Sequence, residues 1–359
     1  MEGGGQLTQV ESDVVRRQFG CGAGQHAGVV RQLEHQRGLG GCGQQREFGR
    51  VEVAYAGKAL LCTAMCRIMQ QEGMALDTAS TGELFTAVSA GFPLNKVKLH
   101  GNFKTDELLG MALKYQVGRI VADSITELQR LSRIAVEMGK EADILIRVGP
   151  GIKTQTHSYI QTGQADSKFG LSIASGAAME GIKLALSLPG IDLRGLHCHI
   201  GSQLFGLDSY ARTVEMMTEF IRLVRAETNW TCDELDLGGG LGIAYTPEDA
   251  PPSVAELADV ICPALKSAAE AQGLPLPKLI LEPGRSIVGP AGTTLYTVGP
   301  VKVIPGVRTY VAVDGGLDPA TGDRPEVARR GGVAAVVGGG HDGPGEGVFA
   351  VGLDATGET

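Results

Sequence analysis

Three observations predict an α/β protein built on a (β/α)8 barrel followed by a truncated β-domain. Eight short aliphatic or β-branched runs alternate with stretches of helical periodicity over about 220 residues, the count and size of such a barrel. Ionisable and glycine residues collect at the C-terminal ends of those runs. Beyond them come two strand-like runs with no helix between, "TTLYTVGPVKV" from Thr293 and "RTYVAVDGG" ending at Gly316. A doubly wound open sheet is the main competing fold, and it needs fewer strands or a clear break.

The strand runs are "VEVAYA" (51–56), "MALDTA" (74–79), "KVKLHG" (96–101), "RIVAD" (119–123), "ADILIRVG" (142–149), "LRGLHCHI" (193–200), "ELDLGG" (234–239) and "KLILEPG" (278–284). Between the fourth and fifth, Ile125, Leu128, Leu131, Ile134, Ala135 and Met138 recur at helical spacing and mark one buried face. Ser124 and Glu127 are spaced as a capping box, as are Ser80 and Glu83. Over 208–226, Tyr210, Val214, Met217, Ile221 and Val224 form a similar stripe. Cys62 and Cys66, one helical turn apart, read as core thiols.

Composition narrows the function. The 359 residues are 43% hydrophobic and 20% charged, enough for a large core. A net charge of -8 disfavours a nucleic-acid surface. The chain has no apolar run long enough for a membrane span and no basic-then-apolar signal region. Seven Cys without a C-x-x-C pair fit reduced thiols, and the expected location is the cytoplasm.

The 53 glycines are unevenly spread: 12 fall in residues 1–50 and 11 in residues 317–359. Both ends lack Lys, Trp and Tyr and have no sustained period of 2 or 3.6. Composition alone leaves two readings of them, flexible tails or out-of-frame translation of a GC-rich gene. The expected division is therefore 1–50, a Gly-rich segment; 51–292, the barrel; 293–316, the start of a β-domain; and 317–359, a second Gly-rich segment.

A barrel of this kind holds its active site at the C-terminal strand ends. Gly238, Gly239 and Gly240 follow the seventh strand, where their unhindered N–H groups could approach a phosphate, and Arg285 in the next loop adds a charged donor. A tight βα turn is the plainer explanation of any such glycine run. Lys58, after the first strand, reads either as a snorkelling surface residue or as a desolvated amine able to form a Schiff base with a carbonyl cofactor. A phosphate cradle with such a lysine suits pyridoxal 5'-phosphate, with Glu282 as partner of the pyridine nitrogen. The plainer alternative pairs Glu282 with Arg285. His197 and His199 read as a metal-binding H-x-H, as buried hydrogen-bonded residues, or as a source of one imidazole stacked on a ring, and His100 is a further strand-end histidine. Asp77 and Arg147 could pair across the mouth.

Seven segments, "VAYAGKAL", "LDTASTGEL", "LHGNFKTDEL", "SKFGLS", "GLHCHIGSQ", "LDLGGGLGI" and "LEPGRSIVGPAG", together resemble the diaminopimelate decarboxylases. These are fold-type III pyridoxal-phosphate enzymes with a barrel and a β-domain, and the resemblance runs from about Val51 to Gly316. It implies that Lys58 is the Schiff-base lysine, His199 the ring-stacking histidine and Glu282 the pyridine-nitrogen partner. It also implies that Ser202, Gly238, Gly239, Gly240, Pro283, Gly284 and Arg285 bind the cofactor, with Arg285 reaching substrate as well. Asp77 and Arg147 match supporting polar residues, and no metal is implied. The implied activity is decarboxylation of meso-2,6-diaminopimelate to L-lysine in lysine biosynthesis, by a homodimer. An ornithine- or arginine-type decarboxylase or a racemase on the same barrel, a non-catalytic pyridoxal-phosphate-binding protein and a metal hydrolase are the alternatives.

The departures lie at the ends. The family follows "DGG" closely with an Arg-Pro pair and a Tyr, then a C-E-S motif that serves the neighbouring subunit's site. Here Arg324-Pro325 stands at altered spacing without a Tyr, and no Cys follows Cys262. That moves the out-of-frame reading ahead and predicts a chain of weak activity as written.

Overall fold

The computed structural model describes residues 50–151, 168–245, 247–291, 298–305, 308–313, 333–336 and 348–349. All eight barrel strands form where the aliphatic runs place them. They are β1 (Val51–Ala56), β2 (Ala75–Thr78), β3 (Val97–Leu99), β4 (Arg119–Ala122), β5 (Ala142–Gly149), β7 (Ile191–His197), β8 (Glu234–Asp236) and β9 (Lys278–Leu281). A two-residue strand, β6 (Leu171–Ser172), attaches to the side of β5. Every barrel pairing is parallel, and the ring closes because β4 pairs with β5 and β9 returns to β1.

Each strand leads into a helix: α1 (Thr63–Gln71), α2 (Thr81–Ser89), α3 (Asp106–Tyr115), α4 (Ile125–Met138), α5 (Ala177–Ser187), α6 (Asp208–Thr228), α7 (Val254–Ala271) and the short α8 (Arg285–Val288). The apolar stripes face the sheet as expected. Leu128, Leu131, Ile134 and Ala135 of α4 are buried, as are Tyr210, Val214, Met217, Ile221 and Val224 of α6. Met138 departs from its stripe and is 39% exposed, because it ends the helix where the packing ends. The capping expectation is half met. Ser80 and Ser124 accept from the N–H of Glu83 and Glu127, both at 3.2 Å. The Glu83 carboxylate, however, accepts from Ala79, and that of Glu127 from Lys104. The full reciprocal box is at Ser253 and Glu256.

Beyond the barrel, β10 (Val298–Ile304) and β11 (Arg308–Val313) pair antiparallel. The Gly-rich ends, with Arg324-Pro325, lie mostly outside the described residues. Within the second of them, Val333–Val336 and Val348–Phe349 extend the same sheet.

Near the N-terminal ends of the barrel strands the interior is ionic. Glu52 of β1 pairs with Lys98 of β3 and, at 2.6 Å, with Lys278 of β9. Lys278 lies 3.6 Å from Glu234 of β8, which takes two parallel 2.8 Å bonds from Arg119 of β4. Arg119 also reaches Asp143 of β5 at 3.0 Å. Partners on non-adjacent strands can meet only through the barrel interior, so this belt of three anions and three cations closes the lower end.

Burial works against the Glu52 charge, but Lys98 and Lys278 outweigh it and hold its pKa at about 2, against an ordinary 4.5. A depressed folded-state pKa stabilises above the unfolded value and is lost as pH falls through the folded one. The gain of about 3 kcal/mol is therefore present above pH 4.5 and disappears between pH 4.5 and 2. Urea unfolding at several pH values should show that decline. Glu52→Gln should start less stable at neutral pH and decline less, whereas parallel declines would mean Glu52 is not charged at pH 3.

Candidate active site

At the opposite end, the strands deliver polar side chains into one mouth. Glu282 follows the last residue of β9. Its N–H donates to the Gly238 carbonyl at 2.8 Å, and the next carbonyl, of Pro283, accepts from Ala56 at 3.0 Å. The backbone is thus stitched to the neighbours on both sides. The Glu282 carboxylate stands between two imidazoles. His100 Nε2 is 2.9 Å from Oε1 and His197 Nε2 is 3.3 Å from Oε2, with ring centroids 5.0 Å apart and nearly perpendicular. The His100 contact is short but poorly aligned for a hydrogen bond, so His100 Nε2 and Glu282 Oε1 lack a well-directed partner. Both oxygens of Asp77, one of them 3.8 Å from His100, lack one too. Such a group of unsatisfied buried atoms calls for a bound partner.

The three buried carboxyls at this mouth are pushed apart in pKa. Burial would raise Glu282, but His100 and His197 outweigh it and hold it well below the ordinary range. Burial, then the Glu282 charge, raises Asp77 and Asp236 well above theirs. Burial pushes His197 down to about 4 and also lowers His100, so both imidazoles are neutral at pH 7 beside an anion. Divergent environments of this kind assign one group the charge and its neighbours the neutral form.

Lys58 sits on a single turn, Gly57–Ala59, directly after β1. Its side chain is accessible to water yet surrounded by protein atoms, as expected of a group inside an open cleft. Desolvation lowers its pKa; Glu282 and Asp77 oppose this, while Arg147 and Arg285 add to it. His199 is lowered well below its usual value by burial, then by Lys58 and Arg147. Strand β7 ends at His197, so His197 and His199 are not held on one side of a continuing strand. His197 meets Glu282 while the His199 ring lies against Gly238.

The glycine run is required by contact as well as by turning. Gly238 has φ +69°, and a Cβ there would lie 2.7 Å from His199 Nδ1. Gly240 has φ +107°, and its Cβ would lie 2.3 Å from the Gly201 carbonyl. No side chain fits either place. Gly239 packs against the Glu282 carbonyl and Gly284 against Ala56, which brings the loops after β8 and β9 together. Arg285 donates to Ser202 at 3.1 Å and to the Tyr245 hydroxyl. A guanidinium, a serine and the backbone of Gly239 and Gly240 share one corner, a donor set for a phosphate or carboxylate, whereas the Gly238 N–H, expected to join them, donates instead to Asp236 Oδ1 at 2.9 Å.

One expectation is corrected. Arg147 does not reach across the mouth to Asp77: its guanidinium lies 3.8 Å from Asp123, at the end of adjacent β4, and stacks on Phe169 at 4.4 Å. Asp77 faces His100 instead. The donor atoms of His100, His197 and Glu282 lie within 4.8 Å of one another, close enough for an ion. His199, the other half of the H-x-H, is not part of that group. Asp123, Asp236, Tyr245 and Phe169 were not singled out from sequence. Asp123 carried a usable signal, since it ends its aliphatic run as Asp77 does.

Residues 43–289 match the family described as "Pyridoxal-dependent decarboxylase, pyridoxal binding domain". The diaminopimelate decarboxylase of Bacillus subtilis (strain 168) is 44% identical over 269 residues, 75% of this chain and 61% of that protein. That of Mycobacterium tuberculosis (strain ATCC 25618 / H37Rv) is 44% identical over 273 residues, 74% of this chain and 61% of that protein. The structure of diaminopimelate decarboxylase from M. jannaschii in co-complex with L-lysine aligns at TM-score 0.73 and 31% identity, covering 90% of this chain and 75% of that one. The chain thus spans about three-fifths of the length of the curated relatives it matches. With the matched region covering the whole barrel and its mouth, the chain belongs to the pyridoxal-dependent decarboxylase family.

Proposed function

We propose that the barrel binds pyridoxal 5'-phosphate at its mouth and decarboxylates meso-2,6-diaminopimelate to L-lysine and CO2, as part of a cytoplasmic homodimer. The observation that carries the reading is the ionised Glu282, braced by two neutral imidazoles and facing a lysine of lowered pKa. Identity of 44% with diaminopimelate decarboxylases favours that substrate over ornithine or arginine.

The residues fit the cofactor group by group. Bound there, it supplies an aldehyde that captures an amine and a ring that withdraws the electron pair left as CO2 departs. Lys58, its pKa lowered by desolvation, would supply the amine for that aldehyde. Glu282 holds a proton on the pyridine nitrogen, and His100 and His197 hold Glu282 in its charged form. His199 offers a flat face to the ring. Ser202, Arg285, Gly284 and the N–H groups of Gly239 and Gly240 would hold the phosphate and Arg285 would also serve the substrate, while Gly238, whose N–H is taken by Asp236, contributes by leaving room for His199. Asp77 and Arg147 shape the charge around Lys58.

Protein mixed with pyridoxal phosphate should gain visible absorbance, and borohydride should fix the cofactor's mass on the peptide carrying Lys58. Lys58→Ala should abolish both, while labelling of another lysine would displace this assignment. Glu282→Gln keeps the shape but not the charge. It should spare cofactor binding and, in a chain with both ends restored to the alternate reading frames, cut turnover about 10²–10³-fold, the usual scale for removing an oriented charge. Equal turnover would mean the electron sink does not depend on Glu282.

No Cys follows Cys262, and the resemblance supplies no distal substrate contact beyond Arg285. Lysine formation by the 359-residue chain should therefore be weak, and a gene restored to the alternate reading frames at both ends should recover it. Full activity of the unaltered chain would contradict the out-of-frame reading.

A further inference from the structure

Lys104 is the one lysine among the described residues with no exposed surface, its relative exposure being 0%. It lies in the loop after β3, four residues beyond His100. Its ammonium has three donors, and each is used at 2.7 Å: on the Gly101 carbonyl, on the Val121 carbonyl of β4 and on the Glu127 carboxylate of α4. Glu127 is itself only 3% exposed. Its carboxylate also accepts the Asp123 backbone N–H, while its own N–H is capped by Ser124. One buried ion pair thus grips the chain immediately after His100 and immediately before α4. Outside it, Arg130 donates to the Lys104 carbonyl at 2.9 Å.

The two gripped segments carry the side chains that meet the mouth's central charges. Gly101 follows His100, which contacts Glu282, and Asp123 faces Arg147. Gly101 has φ +116°, and a Cβ there would lie 3.2 Å from the Ala79 carbonyl, so the turn that aims His100 is tightly fitted. We propose that Lys104 and Glu127 are positioning residues, whose ion pair sets where His100 meets Glu282 and where Asp123 meets Arg147. The pair touches neither the proposed cofactor nor the substrate. The proposal rests on the cofactor reading given above and deepens it.

Removing one partner leaves the other buried and unpaired, which destabilises any protein. Replacing both by apolar side chains leaves no unpaired charge, so Lys104→Met with Glu127→Met costs less than either single change, although the Gly101 and Val121 carbonyls and the Asp123 N–H lose a partner. The groups around His100 that set its charge are Glu282, Asp77, His197, Arg147 and Lys104. Wild-type and double-variant chains would be compared in thermal unfolding, in pyridoxal phosphate affinity and in the pH dependence of the bound cofactor's visible band. The proposal expects a double variant that folds but unfolds at a somewhat lower temperature, binds the cofactor about tenfold more weakly and titrates at a shifted pH. A double variant with wild-type affinity and an unshifted band overturns the positioning role alone. A wild-type chain with no visible band overturns the cofactor reading, and this proposal with it.

Discussion

The geometry of the mouth depends on one carboxylate kept charged where burial alone would neutralise it. Glu282 is enclosed by protein, and Asp77 and Asp236 crowd it with two further carboxyl groups. The two imidazoles, with Nε2 atoms 2.9 and 3.3 Å from its oxygens, tip the balance toward the ion. The Glu282 charge adds to burial in raising the pKa of the two aspartates, whereas at the two histidines burial outweighs the pull of that charge and favours the neutral ring. The Lys58 amine then stands in a cleft with one dominant negative charge, opposed by Arg147 and Arg285.

The barrel separates this unbalanced cluster from a balanced one. Near the lower end, Glu52, Glu234 and Asp143 are matched by Lys98, Lys278 and Arg119 through direct pairs. Lys98 is the link between the two ends, since its charge is felt by both Asp77 and Asp236. Closed ion pairs stabilise without seeking a ligand, whereas buried atoms left without aligned partners favour one. The same strands supply both ends, and their direction decides which end does chemistry.

The strands were legible because a parallel barrel strand is buried on both faces and reads as a short aliphatic run between turns. The site was legible in part, because a barrel converts a position at the end of a run into a place in space. That rule places Lys58, His100, His197, Glu282 and the glycines at one end of the barrel, where the structure has them. It could not say which of them touch. Asp77 and Asp123 both lie at the C-terminal ends of strands, one residue inside β2 and one beyond β4, and either could have met Arg147. Strand order decides: β4 pairs directly with β5, setting Ala122 against Ile146, whereas β2 is three strands away. Glu127 shows a second limit. Its spacing from Ser124 announced a cap, and it does cap the helix through its N–H, but its carboxylate is claimed by a lysine 23 residues away. Local periodicity carries no trace of such a partner.

The central claim is that Glu282 is an anion able to keep a proton on the nitrogen it faces. The most direct measurement is the ¹⁵N resonance of pyridoxal phosphate labelled at its ring nitrogen and bound to this chain. A protonated pyridine resonates far from a neutral one, and the two are told apart without any turnover. The account predicts the protonated position at neutral pH, moving to the neutral position in Glu282→Gln. A neutral ring nitrogen in the wild-type chain would contradict it.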